Sequence, residues 1–216
     1  VTDPRVHVLI AVKELSRAKS RMTPDFPADA RRRLVIAMLR DTLAVAASVP
    51  AVGALTVITP DSDVAAVAVE CGADVSPEPE QPASAAQRLN AALASTAAEL
   101  SGRGVENIAA LQADLPAVRA GELAAALAAA PAQRRSLVTD HRGVGTSALI
   151  ARGVQLLPQF GHHSADHHLR SGAHALSGHW PGLRLDVDTA EDLARAAHLG
   201  LGPATRALLA EIGWRP

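Results

Sequence analysis

The stretch Ile108-Ala109-Ala110-Leu111-Gln112-Ala113-Asp114-Leu115-Pro116 constrains this chain more than any other. A short apolar run of this kind reads as a buried strand, and Leu-Pro then stops regular pairing. In an open α/β sheet, ligands sit beyond the carboxyl ends of the strands, which is where Asp114 falls. A carboxylate there suits a divalent cation held against phosphates. A turn or capping aspartate satisfies the local pattern equally well.

The rest of the chain repeats the same alternation. Apolar runs at Val6–Val12, Ala54–Ile58, Ala73–Val75, Ser136–Thr139, Thr146–Ala151 and Arg184–Val187 read as further strands. Between them lie helical patterns: from Asp29 with Leu34, Met38, Thr42 and Val45 near one face, from Asp61 or Ser62 to Cys71, from Ser84 to Leu100, and from Gly121 to Ala130. Gly72 suits a helix end, and Thr189 with Asp192 three residues on forms a capping-box-like start to a last helical region. Ser76–Pro82, with three prolines, reads as a surface loop, and Leu157–Gly182 as irregular. Strands alternating with helices predict a three-layer α/β/α sandwich.

Length allows one domain over residues 1–216 with a substantial core. Alanine supplies much of the 48% hydrophobic fraction and aromatics are only 2%, so the core is expected to be aliphatic. A net charge of -1 argues against general affinity for nucleic acid or an anionic membrane. Cys71 is alone, so no disulfide framework or CxxC chemistry is expected. Val6–Val12 is too short for a signal core or a membrane span, and a cytoplasmic protein is expected.

Several groups can carry chemistry. Lys13, Lys19 and Arg21 follow the first strand, on the same sheet edge as Asp114, and three cations there can cradle a polyphosphate. A solvated basic loop is the alternative. No Walker motif or GxGxxG opens the chain, which weakens P-loop and dinucleotide readings. Asp186 and Asp188 are read as pointing to opposite faces of an extended segment, so that one of them joins Asp114. Asp186 is favoured as the ligand, with Asp188 as rival or helix cap. Gly161-His162-His163-Ser164 precedes a short helix; glycine permits close backbone approach, and amides with a serine hydroxyl suit an anion. An ordinary serine cap fits the same residues. Thr146, past Gly143-Val144-Gly145, offers a further hydroxyl. Six of the nine histidines lie between His162 and His179, without HExxH spacing, so a zinc site is not expected. Some of them, with Arg170, can instead shield phosphate charge.

Taken in order, these stretches resemble the guanylyltransferases that activate a phosphorylated three-carbon acid for the deazaflavin coenzyme F-420. The resemblance spans nearly the whole chain. It runs from Ile10-Ala11-Val12-Lys13 and Ala18-Lys19-Ser20-Arg21-Met22 through Val57-Ile58-Thr59-Pro60-Asp61, Leu89-Asn90-Ala91-Ala92-Leu93 and Leu111–Pro116. It continues to Gly145-Thr146, Phe160-Gly161, Ser164, Arg170-Ser171-Gly172-Ala173 and Asp186-Val187-Asp188-Thr189. It implies a glycosyltransferase-A-like nucleotidyltransferase fold with a mixed sheet and GTP as donor. Magnesium is implied on Asp114 and Asp186, and the acceptor acid on Thr146, Gly161 and Ser164. Asn90 is a candidate for the base or ribose. The bacterial branch of the family uses phosphoenolpyruvate and archaeal relatives 2-phospholactate; Trp180-Pro181-Gly182-Leu183-Arg184 sides with the actinobacterial branch. The family usually has glycine where this chain has Ala113, which would be strained if that backbone required positive φ. A short-lived diphosphodiester product suggests hand-over to a following enzyme. Another nucleotidyltransferase, or a non-catalytic α/β module with capping aspartates, are the competing readings.

Overall fold

Residues 5–15, 19–23, 25–77 and 84–215 are described by the computed structural model of the chain. The first strand, β1 (Val6–Ala11), is the buried run expected at the N-terminus, and it is an interior strand, third in a seven-stranded sheet. The others are β2 (Val52–Ile58), β3 (Asp74–Ser76), β4 (Asn107–Leu111), β5 (Arg134–Thr139), β6 (Thr146–Arg152) and β7 (His174–Ala175). Their order is β3-β2-β1-β4-β6-β5-β7. Neighbours β3, β2, β1 and β4 run parallel, β6 is antiparallel to both β4 and β5, and β5 is parallel to β7. The reversal of β6 matters for function. It brings the start of that strand, Thr146, to the sheet edge where β1, β4 and β5 end.

Two helical layers cover the sheet, as the alternation predicts. Alternate β1 residues face opposite ways: Val8 and Ile10 join one apolar cluster, Leu9 the other. The larger cluster is closed by α1 (Ala28–Ser48), α2 (Ser62–Glu70), α4 (Ala120–Ala129), α6 (Pro181–Arg184), α7 (Ala190–Leu199) and α8 (Pro203–Glu211). The smaller is closed by α3 (Ala85–Gly102) and α5 (Ser164–Arg170). α1 buries Leu34, Met38, Leu39, Thr42 and Leu43, but Val45 is only partly buried. Local signals set several ends. Asp61 accepts from the amides of Asp63 and Val64 to start α2, and full capping boxes open α3 (Ser84, Gln87) and α7 (Thr189, Asp192).

Two expectations are corrected. Arg184–Val187 is not a strand: Pro181 opens α6, whose first amides, of Gly182 and Leu183, donate to the carboxylate of Glu122, 60 and 61 residues away. The segment expected to be irregular contains α5 and β7, the latter a two-residue strand held by pairing with Ser136 and Leu137. Ser16–Ala18 and Pro24 of the basic loop, and residues 78–82 of the proline-rich loop, lie outside the described residues. Among the described residues no helix is long and apolar enough to cross a membrane.

Candidate active site

A cleft of about 670 Å³ opens at the edge where β1, β4 and β5 end and β6 begins. That size suits a small-molecule site. Lys13, Arg21, Gln112, Thr146, Gly161, Ser164, Asp186 and Asp188 all line it. Residues drawn from distant parts of the sequence thus meet in one place.

The acidic side of the cleft is built from the two stretches singled out by sequence. The backbone amide of Val187 donates to the Asp114 carbonyl at 3.0 Å, which docks the segment 186–188 beside the end of β4. Val187 is fully buried, whereas Asp186 and Asp188 both reach the cleft. The expectation of opposite faces is therefore corrected: on an extended chain the side-chain period is two, so residues two apart share a face. Lys19, in a left-handed backbone conformation (φ 52°), places its Nζ between Asp114 and Asp188, bonding both, the latter at 3.0 Å. Arg21 approaches the other oxygen of Asp188 at 3.5 Å.

Electrostatics separate these carboxylates. Burial works to raise the Asp188 pKa, but the Lys19 charge and hydrogen bond, with Arg21, bring it below the usual range. Lys19 is itself raised: burial opposes its charge, and Asp114 and Asp188 more than offset that. Asp186 moves the other way, well above the usual carboxylate range, first through burial and then through the charges of Asp114, Asp188 and Asp140. Asp114 Oδ1 is buried with no partner among the described residues. An unpartnered carboxylate oxygen beside a second buried carboxyl, with only His141 at 3.9 Å from the latter, fits a hard divalent ion. Among the described residues no group of three or more His, Cys, Asp or Glu forms a cation cage. Such an ion would need substrate phosphates to complete its shell, as magnesium commonly does.

The opposite wall is built on the start of β6 and the loop before α5. Gln112 fixes the Thr146 strand end, its Nε2 donating to the Thr146 carbonyl at 3.2 Å and its backbone amide to that of Ser147 at 3.0 Å. Gly161 has φ 135°, which a side chain would strain. Ser164 is buried and is the first residue of α5, whose cap is His163. Asn90, the candidate for the base or ribose, is bonded to the loop before Gly161. Its Nδ2 donates to the Phe160 carbonyl at 2.8 Å, and its Oδ1 accepts from the Phe160 amide at 2.7 Å. Both ends of the amide bond the backbone next to Gly161.

Other lining groups were not singled out by sequence. Asp140 Oδ1 accepts from the amides of Arg142 and Val144, shaping the turn that leads to Thr146. A side chain at Gly145 would meet Asp140 Oδ2 at 2.6 Å, so that carboxylate would have to shift. Arg142 makes a two-oxygen contact with Asp192 at 3.0 and 3.2 Å. His168 is fully buried behind Thr146. The only local hint of its burial is its spacing, three residues after the buried Ala165. Ala113 is not among the described residues with positive φ, and its carbonyl accepts from Thr42 Oγ1 at 3.1 Å. The strain considered for an alanine at this position is absent.

Comparison with known proteins places this geometry in context. The family model described as "Guanylyl transferase CofC like" matches residues 6–215. The phosphoenolpyruvate guanylyltransferase of Nocardia farcinica is 54% identical over 211 residues, covering 97% of this chain and 92% of that protein. The corresponding enzyme 1 of Rhodococcus jostii is 52% identical over 219 residues, covering 95% and 93%. Among solved structures, a nucleotidyl transferase from Methanothermobacter superposes with a TM-score of 0.62 at 17% identity, covering 90% of this chain and 97% of that one. A Desulfovibrio desulfuricans chain described as a nucleotide-diphospho-sugar transferase gives 0.68 at 16% identity, covering 96% and 95%. At these identities the structural likeness shows the fold alone, a mixed-sheet nucleotidyltransferase sandwich.

Proposed function

The chain belongs to the guanylyl transferase CofC-like family, and on that premise we propose that it moves GMP from GTP to the phosphate of phosphoenolpyruvate. The products are enolpyruvyl-diphospho-guanosine, an intermediate in making coenzyme F-420, and the released pyrophosphate. The observation that carries this reading is the half-identity, over nearly the full length, to proteins named for that reaction. The cleft is compatible with it, because cationic, acidic and hydroxyl groups converge there.

A phosphate oxygen of the acceptor attacks the α-phosphorus of GTP, the bond to the β-phosphate breaks, and pyrophosphate leaves with that electron pair. A phosphate monoester is largely dianionic at neutral pH, its second pKa being about 6, so no general base is required. The chain's task is to bring two anions together in line. Lys13 and Arg21 hold the triphosphate and offset charge on the departing pyrophosphate. Lys19 balances Asp114 and Asp188. Asp114 and Asp186 would hold magnesium, which would neutralise charge on the phosphates. Thr146, Gly161 and Ser164 hold the acceptor acid, on a wall that Asn90 braces.

The test is magnesium-dependent pyrophosphate release from GTP with phosphoenolpyruvate and 2-phospholactate offered separately, and with ATP and CTP as donor controls. Release with GTP and phosphoenolpyruvate is expected. Release with 2-phospholactate alone would retain the reaction and change the acceptor, and silence with both would overturn the reading.

A further inference from the structure

His168 belongs to neither the acidic group nor the cleft lining, yet it contacts Thr146 and the two residues just before Gly161. Its Nε2 lies 2.8 Å from the backbone nitrogen of Gln159, and its Nδ1 lies 2.9 Å from Thr146 Oγ1. Its ring meets Phe160 edge-on, with centroids 5.1 Å apart. It sits in α5, four residues after Ser164.

These contacts determine where the imidazole proton is. A backbone amide can only donate, so Nε2 must accept from Gln159 and carry no proton. In the neutral ring the proton is then on Nδ1, which donates to Thr146 Oγ1. Having accepted that bond, the threonine hydroxyl keeps its own proton, and no further partner for it exists among the described residues. Thr146 is buried in the cleft wall, and its hydroxyl proton is then left for a ligand bound against it. With the other tautomer, Gln159 would face a second N–H. Thr146 would spend its proton on Nδ1 and turn only lone pairs toward the cleft, which repels an anion. The surroundings favour the neutral ring: burial lowers its pKa and Arg135 and His167 lower it further, outweighing a backbone interaction with Ser164 that raises it.

We infer that His168 is a positioning residue whose Nδ1 proton orients the Thr146 hydroxyl as a hydrogen-bond donor to the anionic acceptor. The inference rests on the reading of Thr146 as an acceptor contact in the proposed reaction. Asparagine and glutamine at this position separate the two ring contacts. The Asn amide reaches the place of Nδ1 and can still donate to Thr146, while losing Gln159. The Gln amide reaches the place of Nε2 and can accept from Gln159, while losing Thr146.

The experiment has two arms. In the first, nitrogen NMR of the unliganded protein reads the tautomer of His168 without reference to any substrate. A protonated Nδ1 with a bare Nε2 is expected, and a proton on Nε2 overturns the inference. In the second, steady-state constants are compared for wild type, H168Q, H168N, T146V and the double variant T146V/H168Q. Loss of one hydrogen bond to an anion predicts an acceptor KM raised about tenfold in H168Q, with the KM for GTP within about twofold of wild type. H168N is expected to recover most of that loss, and T146V/H168Q to match T146V, because His168 acts through that hydroxyl. A purely structural role predicts the reverse order, since Asn leaves the larger gap, and multiplicative effects in the double variant. Either result overturns the inference. Wild-type protein that turns over no acceptor would instead overturn the proposed reaction, leaving the tautomer to the NMR arm.

Discussion

Acid should unfold this protein partly through one imidazole. His168 is fully buried, and its pKa falls to about 4 from 6.5, through burial first and then the nearby charges of Arg135 and His167. Because the folded value is the lower one, the unfolded chain binds the proton more readily between the two values. Stability from this group is therefore complete above about pH 6.5 and is lost as pH falls toward 4. The whole window is worth at most about 3 kcal/mol, of which about 2 kcal/mol is gone by pH 5. With a urea slope of about 2 kcal/mol per molar, that loss moves the unfolding midpoint down by about 1 M. Carboxylates and His7 also titrate in this range, so the measurement is a difference. Urea midpoints at pH 7.5 and pH 5 are compared between wild type and H168Q, which has no proton to bind there. Wild type should lose about 1 M more than the variant. Equal losses in the two proteins would refute the argument that His168 is held neutral by its surroundings.

Three further outcomes are expected. Asp114→Asn should lower pyrophosphate release about 100-fold or more while the chain remains folded, because it weakens a metal-holding carboxylate; a rate within tenfold of wild type would contradict the assignment. Asn90→Ala, which frees the Phe160 amide and carbonyl, should cost about 2 kcal/mol of stability and raise the acceptor KM more than the GTP KM; the opposite split would favour a nucleotide-binding role for Asn90. Asp41, buried under Gly202, accepts from the amides of Ala204 and Thr205 at 2.9 Å each. Asp41→Ala should therefore cost about 3 kcal/mol and loosen α8, seen as faster hydrogen exchange there.

What was legible in the sequence is local. Apolar runs marked most strands, and Asp61, Ser84 and Thr189 announced their helices because a cap needs only its own next three residues. The shared sheet edge of Lys13 and Asp114 followed from both lying just beyond strand ends. What stayed hidden depends on partners far along the chain. Arg184 reads as strand-forming until Glu122 supplies the oxygens that start α6. The bonds of Asn90 to the backbone of Phe160, 70 residues on, have no signal in its local sequence. Asp186 and Asp188 needed only the period of an extended chain, and their common face was open to a correct count. His168 is the deepest case, since the backbone amide of Gln159 decides which nitrogen bears the proton.

The most direct test of the central claim is phosphorus NMR of the purified protein with GTP, phosphoenolpyruvate and magnesium, run beside D114N. The account predicts loss of both substrates' signals, equal growth of pyrophosphate and of an unsymmetrical diphosphate linking the guanosine and enolpyruvate phosphates, and little change with D114N. Release of GMP or GDP with phosphoenolpyruvate untouched, or an equal yield from D114N, would contradict it.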